Sequence, residues 1–148
     1  MIAADALGLP SRYNVPVDHA REQIEKVCRE RGIRLLVLFG SRAKGSGRRA
    51  SDTDLAVLLD RRADLDERFA LEDVLAKSLE VKGRLDLIVL NTLESTTLGR
   101  EIVRTGKVLY DRDGEQWPEF ASLAMRKYAD FEPYRRRRRQ VLRGESIT

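Results

Sequence analysis

The 148-residue sequence has almost none of the side chains that build thiol and imidazole chemistry: one cysteine, Cys28, and one histidine, His19. A single cysteine excludes an internal disulfide and suits a reducing compartment, so the cytoplasm is the expected location. One Cys and one His cannot furnish the usual zinc ligand set within one chain, so any metal must be held by oxygen. Long apolar runs are missing as well. None approaches the roughly 18 residues that span a bilayer, and the first residues lack the charged and apolar regions of a secretory signal. No membrane association is expected. Internal repeats and long linkers are absent, and only four prolines occur.

What remains is a soluble, highly charged composition, 42% hydrophobic and 35% charged, long enough for one domain with a real core. The net charge of +4 is unevenly placed. Residues 125–148 carry 8 basic and 3 acidic side chains, whereas the preceding 124 residues sum to −1. The basic balance belongs to the C-terminal end and says little about the rest. Three regions are expected: an N-terminal arm at 1–17, a globular domain at 18–131 and an arginine-rich tail at 132–148.

Pro10 and Pro16 disfavour regular structure in the arm. Asp18 can cap a helix to about Arg31, with Ala20, Ile24, Val27 and Cys28 on one face and Gly32 as its stop. Cys28 is therefore read as a core thiol and His19 as structural or exposed. Residues 33–39 (IRLLVLF) read as a buried strand. A glycine-bearing loop at 44–51 leads to a second apolar run at 55–59. A helix at 65–81 follows, its inner face assigned to Phe69, Val74, Leu75 and Leu79. Residues 85–90 (LDLIVL) read as a third strand, 93–105 as a helix ended by Gly106, and 107–110 as a fourth, edge strand. Pro118 suits the first turn of a last helix, whose stripe is Phe120, Leu123, Ala124, Tyr128 and Phe131. Trp117 reads as a packing residue, and Pro133 should kink or interrupt the helix. Alternating helix and strand predicts an α/β (α+β) domain around a small sheet.

Chemistry concentrates between residues 40 and 60. Asp52 and Asp54 stand two apart at a strand entry, so their side chains share a face. Two adjacent carboxylates are costly unless a cation neutralises them or they face water. Asp86, inside an otherwise apolar strand, can join them if that strand lies beside residues 55–59. Three carboxylates can hold hard divalent ions such as Mg²⁺ and activate a hydroxyl. Gly40 and Ser41 offer a close backbone approach and free N–H groups to a phosphate. Taken singly these features have bland readings: a solvated turn, or an edge-strand Asp86 paired with Arg84 or Arg100. Together they form the parts needed for attack on a nucleotide phosphate.

The pattern Gly40-Ser41, ten residues, Asp52-x-Asp54 and a later strand aspartate resembles the nucleotidyltransferase superfamily related to DNA polymerase beta. The segments FGSRAKGSGRRASDTDLAVLLD, RLDLIVLN and LGREIVRTGKVLYDRD are closer still to the minimal nucleotidyltransferases, in particular the MntA-like antitoxins of HEPN–MNT toxin–antitoxin pairs. The resemblance spans about residues 24–113. It implies a mixed sheet flanked by helices, and ATP with Mg²⁺ as cosubstrates. It implies that Asp52 and Asp54 hold the metals, that Asp86 binds the catalytic metal and helps deprotonate the acceptor, and that Gly40 and Ser41 hold the triphosphate. It further implies a HEPN-type toxin as partner, silenced by AMP transfer to a tyrosine; the alternatives are transfer to a small-molecule hydroxyl such as an aminoglycoside's, or an antitoxin that neutralises by binding alone. Ser51, beside the aspartates, is assigned to the nucleotide as well. Arg42 and Lys44 are read either as nucleotide contacts or as solvated charges. Arg135, Arg136, Arg137, Arg138 and Arg139 point several ways from one helix. They are read as a solvated, extended end or as a surface for RNA or an acidic partner.

Overall fold

The computed structural model describes residues 17–40 and 52–145, with side chains from Ala20 onward. The elements run α1 (Val17–Glu30), β1 (Ile33–Phe39), β2 (Thr53–Leu59), α2 (Leu65–Ser78), β3 (Leu85–Val89), a 3-10 turn (Leu90–Thr92), α3 (Thr96–Thr105), β4 (Lys107–Asp111), α4 (Gln116–Asp130) and α5 (Glu132–Leu142). The strands form one mixed sheet in the order β3-β2-β1-β4. β1 is antiparallel to both β2 and β4, and β3 is parallel to β2.

β1 and β2 are apolar almost throughout because both faces of the central strands are covered. One face carries Leu36, Leu38, Leu55, Val57 and Leu87, packed on Ile24 and Cys28 of α1 and on Leu71 and Leu75 of α2. The other carries Leu35, Val37, Phe39 and Ala56, packed on Ile102 of α3 and against Trp117 and Phe120 of α4. Alternation along each strand produces this division. Cys28 is fully buried, as expected of a core thiol, and Trp117 packs half-buried beside Phe120.

Caps set the helix starts. Asp64 accepts the Glu67 N–H at 2.8 Å, and Ser95 accepts the Leu98 N–H at 3.1 Å. The second cap starts α3 at Thr96, three residues later than expected, because Leu90–Thr92 forms its own short turn. α4 starts at Gln116, ahead of Pro118, because the Asp111 carboxylate accepts the N–H groups of Gly114, Gln116 and Trp117. Arg34 donates twice to the buried Gln116 amide oxygen and ties this corner to β1.

Three expectations need correction. The inner face of α2 is built on Leu71, Leu75 and Leu79, while Phe69 is 57% exposed. Apolar residues surround this helix, so periodicity alone does not select its buried side. On α4, Ala124 is buried, but Leu123 and Phe131 are exposed, because the helix contributes only the row of residues four apart facing α3. The five arginines lie on a helix rather than an extended end. Pro133 sits in the first turn of α5, where its missing N–H costs nothing. α5 buries no residue fully. It is held to α4 by the Arg135 guanidinium, which sits 3.4 Å from the Tyr128 ring centroid and donates to the Tyr128 carbonyl, while Glu132 pairs with Arg135 and Arg139 within α5 itself. Among the described residues no helix is long and apolar enough to cross a membrane.

Candidate active site

The carboxylates collect at one end of the sheet. β1 ends at Phe39, which pairs with Asp54 near the start of β2, and Asp54 in turn pairs in parallel register with Asp86 on β3. The alternation that turns Ala56 and Ile88 toward α3 and α4 turns Asp54 and Asp86 to the same side. Asp52, two residues before Asp54, stands exposed at the strand entry. β2 is pinned at this point by the Thr53 N–H, which donates to the Arg84 carbonyl at 2.9 Å. The strand adjacency on which the argument for Asp86 depended is therefore present.

Electrostatics agree with this geometry. Partial burial raises the Asp54 carboxyl above its ordinary value, and the negative charges of Asp86 and then Asp52 raise it further. Among the described residues Asp86 pairs with Arg84 at 3.3 Å, with side chains 41% and 76% exposed respectively. A pair this exposed contributes little and can swing away. The edge-strand reading and the site reading of Asp86 thus coexist. Among the described residues no three acidic, histidine or cysteine side chains are already drawn together as a closed cation site. The donor set is nonetheless all oxygen, and its members repel one another, which is the chemistry that suits a hard divalent cation.

Gly40 closes the other side. Its φ is +78°, and a Cβ built there meets the Asp54 Oδ2 at 2.5 Å. Both the left-handed turn and the close carboxylate require glycine. Its N–H is already committed, donating at 3.1 Å to the Thr105 hydroxyl. Gly40 can therefore let a phosphate approach but does not offer it this amide. Ser41, Arg42, Lys44 and Ser51 lie outside the described residues. Thr105 was not foreseen; a threonine at the end of a helix gives no local signal of a partner so far along the chain.

The polymerase beta nucleotidyltransferase family matches residues 22–115, well over half of the chain and all of this site. The chain belongs to that family. This nucleotidyltransferase is 31% identical over 96 residues to the protein adenylyltransferase MntA of Aphanizomenon flos-aquae, a match covering 60% of the chain and 63% of that relative's length. Among solved structures it resembles a chain of a toxin–antitoxin complex with AMP-PNP at a TM-score of 0.69 and 29% identity, covering 82% of this chain and 97% of that one. It also resembles a chain of the Shewanella oneidensis complex of a tri-AMPylated HEPN toxin with its MNT antitoxin, at 0.64 and 26%, over 83% and 95% respectively. The family match stops at residue 115, so α4 and α5 lie beyond it.

Proposed function

We propose that this nucleotidyltransferase is the antitoxin of a HEPN–MNT pair, and that it transfers AMP from ATP to a tyrosine of a HEPN-type ribonuclease partner in the cytoplasm. The observation that carries the reading is the in-register placement of Asp54 and Asp86, with Asp52 beside them, against the Gly40 turn. The likeness to an adenylyltransferase and to chains of AMP-PNP-bound and AMPylated toxin–antitoxin complexes supports the choice of donor and acceptor.

Asp52, Asp54 and Asp86 would hold Mg²⁺, which neutralises the carboxylates and the phosphate oxygens. The tyrosine oxygen attacks the α-phosphorus of ATP, the bond to the bridging oxygen of the β-phosphate breaks, and pyrophosphate leaves. Asp86 takes the phenolic proton, a role suited to a partly exposed carboxylate at the sheet edge. The Gly40 turn and the segment after it, including Ser41, Arg42, Lys44 and Ser51, would cradle the triphosphate.

The test is to incubate the chain with the product of its neighbouring gene, ATP and Mg²⁺, and to search that protein's tyrosines for adenylate mass additions. The expected result is modification that disappears in Asp52→Asn/Asp54→Asn. Transfer that survives the double substitution overturns the ligand assignment. Neutralisation of the toxin without modification overturns the catalytic reading in favour of binding alone.

A further inference from the structure

The Gly40 turn emerges directly from β1, beyond the last residue that β4 pairs with it. β4 supplies the partner as far as Lys107, which pairs with Leu38. Continuing that antiparallel register by two residues in each direction brings Gly40 opposite Thr105. There the chain is already helical, the last residue of α3, and its backbone is not available to a ladder. The Thr105 side chain takes over. Its hydroxyl accepts the Gly40 N–H at 3.1 Å and donates to the Glu101 carbonyl at 2.8 Å. Thr105 is only 8% exposed, so water does not substitute easily for either bond.

The end of α3 is itself fixed. Gly106 lets the helix pack without a side chain in the way: a Cβ there meets the Ile102 carbonyl, Val37 Cγ1 and Trp117. Thr105 is therefore anchored to the face of β1 that also carries Phe39, and it reports that position to Gly40. Gly40 in turn lies against the Asp54 carboxylate. One buried hydroxyl thus sets where the phosphate turn leaves the sheet relative to the acidic cluster.

We infer that Thr105 is a positioning residue for the nucleotide, acting through Gly40 by holding the turn in its binding-competent conformation. This inference rests on the nucleotide-binding part of the proposed function, and it is independent of the identity of the acceptor. Releasing the turn lowers the fraction of competent conformer, and apparent nucleotide affinity falls by the same factor.

The experiment measures AMP-PNP binding in the presence of Mg²⁺, without acceptor, for the wild type, Thr105→Ser and Thr105→Val, with a thermal melt of each. The serine keeps the hydroxyl and is expected to bind within about twofold of wild type. The valine keeps the shape and loses both bonds, and is expected to bind about tenfold more weakly. A valine variant that melts lower but binds equally well overturns the inference, since the hydroxyl is then structural only. A serine variant as weak as the valine also overturns it. Wild-type protein that binds no AMP-PNP removes the nucleotide-binding reading itself, and this inference with it. Should the valine variant not fold, the Gly40 amide of the wild type decides: slow hydrogen exchange supports the tether, and exchange at the solvent rate overturns it.

Discussion

Replacing Gly40 by alanine tests the geometry of the site most directly. Two separate penalties arise. The backbone must keep a φ of +78° with a Cβ attached, which costs an L-residue about 1–2 kcal/mol. For a domain of this size that corresponds to a melting temperature lower by about 2–8 °C. The second penalty is local, because the new Cβ starts 2.5 Å from the Asp54 Oδ2, where ordinary contact begins at 3.4 Å. The carboxylate must retreat by close to an ångström, and, with Asp54 in its proposed role, a displacement of that size costs about 100-fold in rate. Gly114 separates the two effects. It has nearly the same φ, +80°, with nothing within 4 Å of a built Cβ, and it lies in the turn between β4 and α4. Gly114→Ala should therefore lose comparable thermal stability and keep full transfer, while Gly40→Ala should lose both. Melting curves and the rate of the proposed adenylate addition to a HEPN-type partner decide the matter. Equal transfer by the two variants would refute the claim that the Asp54 carboxylate is held against the turn.

Other consequences can be measured independently. Burial first, and then the charge of Glu25, pushes the Cys28 thiol from 9.0 up to about 12. The folded value is the higher one, so the stability linked to Cys28 is complete below about pH 9 and is lost as pH climbs towards 12. The wild type should therefore lose melting temperature over that window faster than Cys28→Ala, and parallel curves would contradict this. On α2, Leu71→Ala should cost about 2–5 kcal/mol in urea unfolding, whereas Phe69→Ala should fall within about 0.5 kcal/mol of wild type. The reverse order would mean that the helix is rotated. The Tyr128 ring meets two guanidinium groups, Arg135 at 3.4 Å from its centroid and Arg100 at 4.8 Å. Tyr128→Ala should speed hydrogen exchange across α5 while α4 stays protected, since each cation–π contact contributes about 0.5–2 kcal/mol. Unchanged exchange in α5 would show that some other contact holds it.

The two carboxylates at the start of β2 stand next to the apolar run that buries the strand, and the same few residues determine both features. Local sequence was therefore enough to locate Asp52, Asp54 and the Gly40 turn. α2 marks the opposite case. Its apolar residues surround the helix, and only contact with α1 and the sheet turns Leu71 inward and Phe69 outward.

By itself the sequence determined most of the strands and helices, where the acidic pair sits, and that a single cysteine cannot form an internal disulfide. Those properties depend on residue type and on spacing within one element, where alternation and helical periodicity directly encode burial. Tertiary structure decided which strands are neighbours, and so whether Asp86 reaches Asp54. It also decided that the Gly40 amide is held by a hydroxyl 65 residues later in the chain. Periodicity tells each element which side to bury but carries no register between elements. That register comes from packing the faces of β1, β2 and α3 against one another, and the end of the sheet that carries Asp54, Asp86 and Gly40 is where it takes effect.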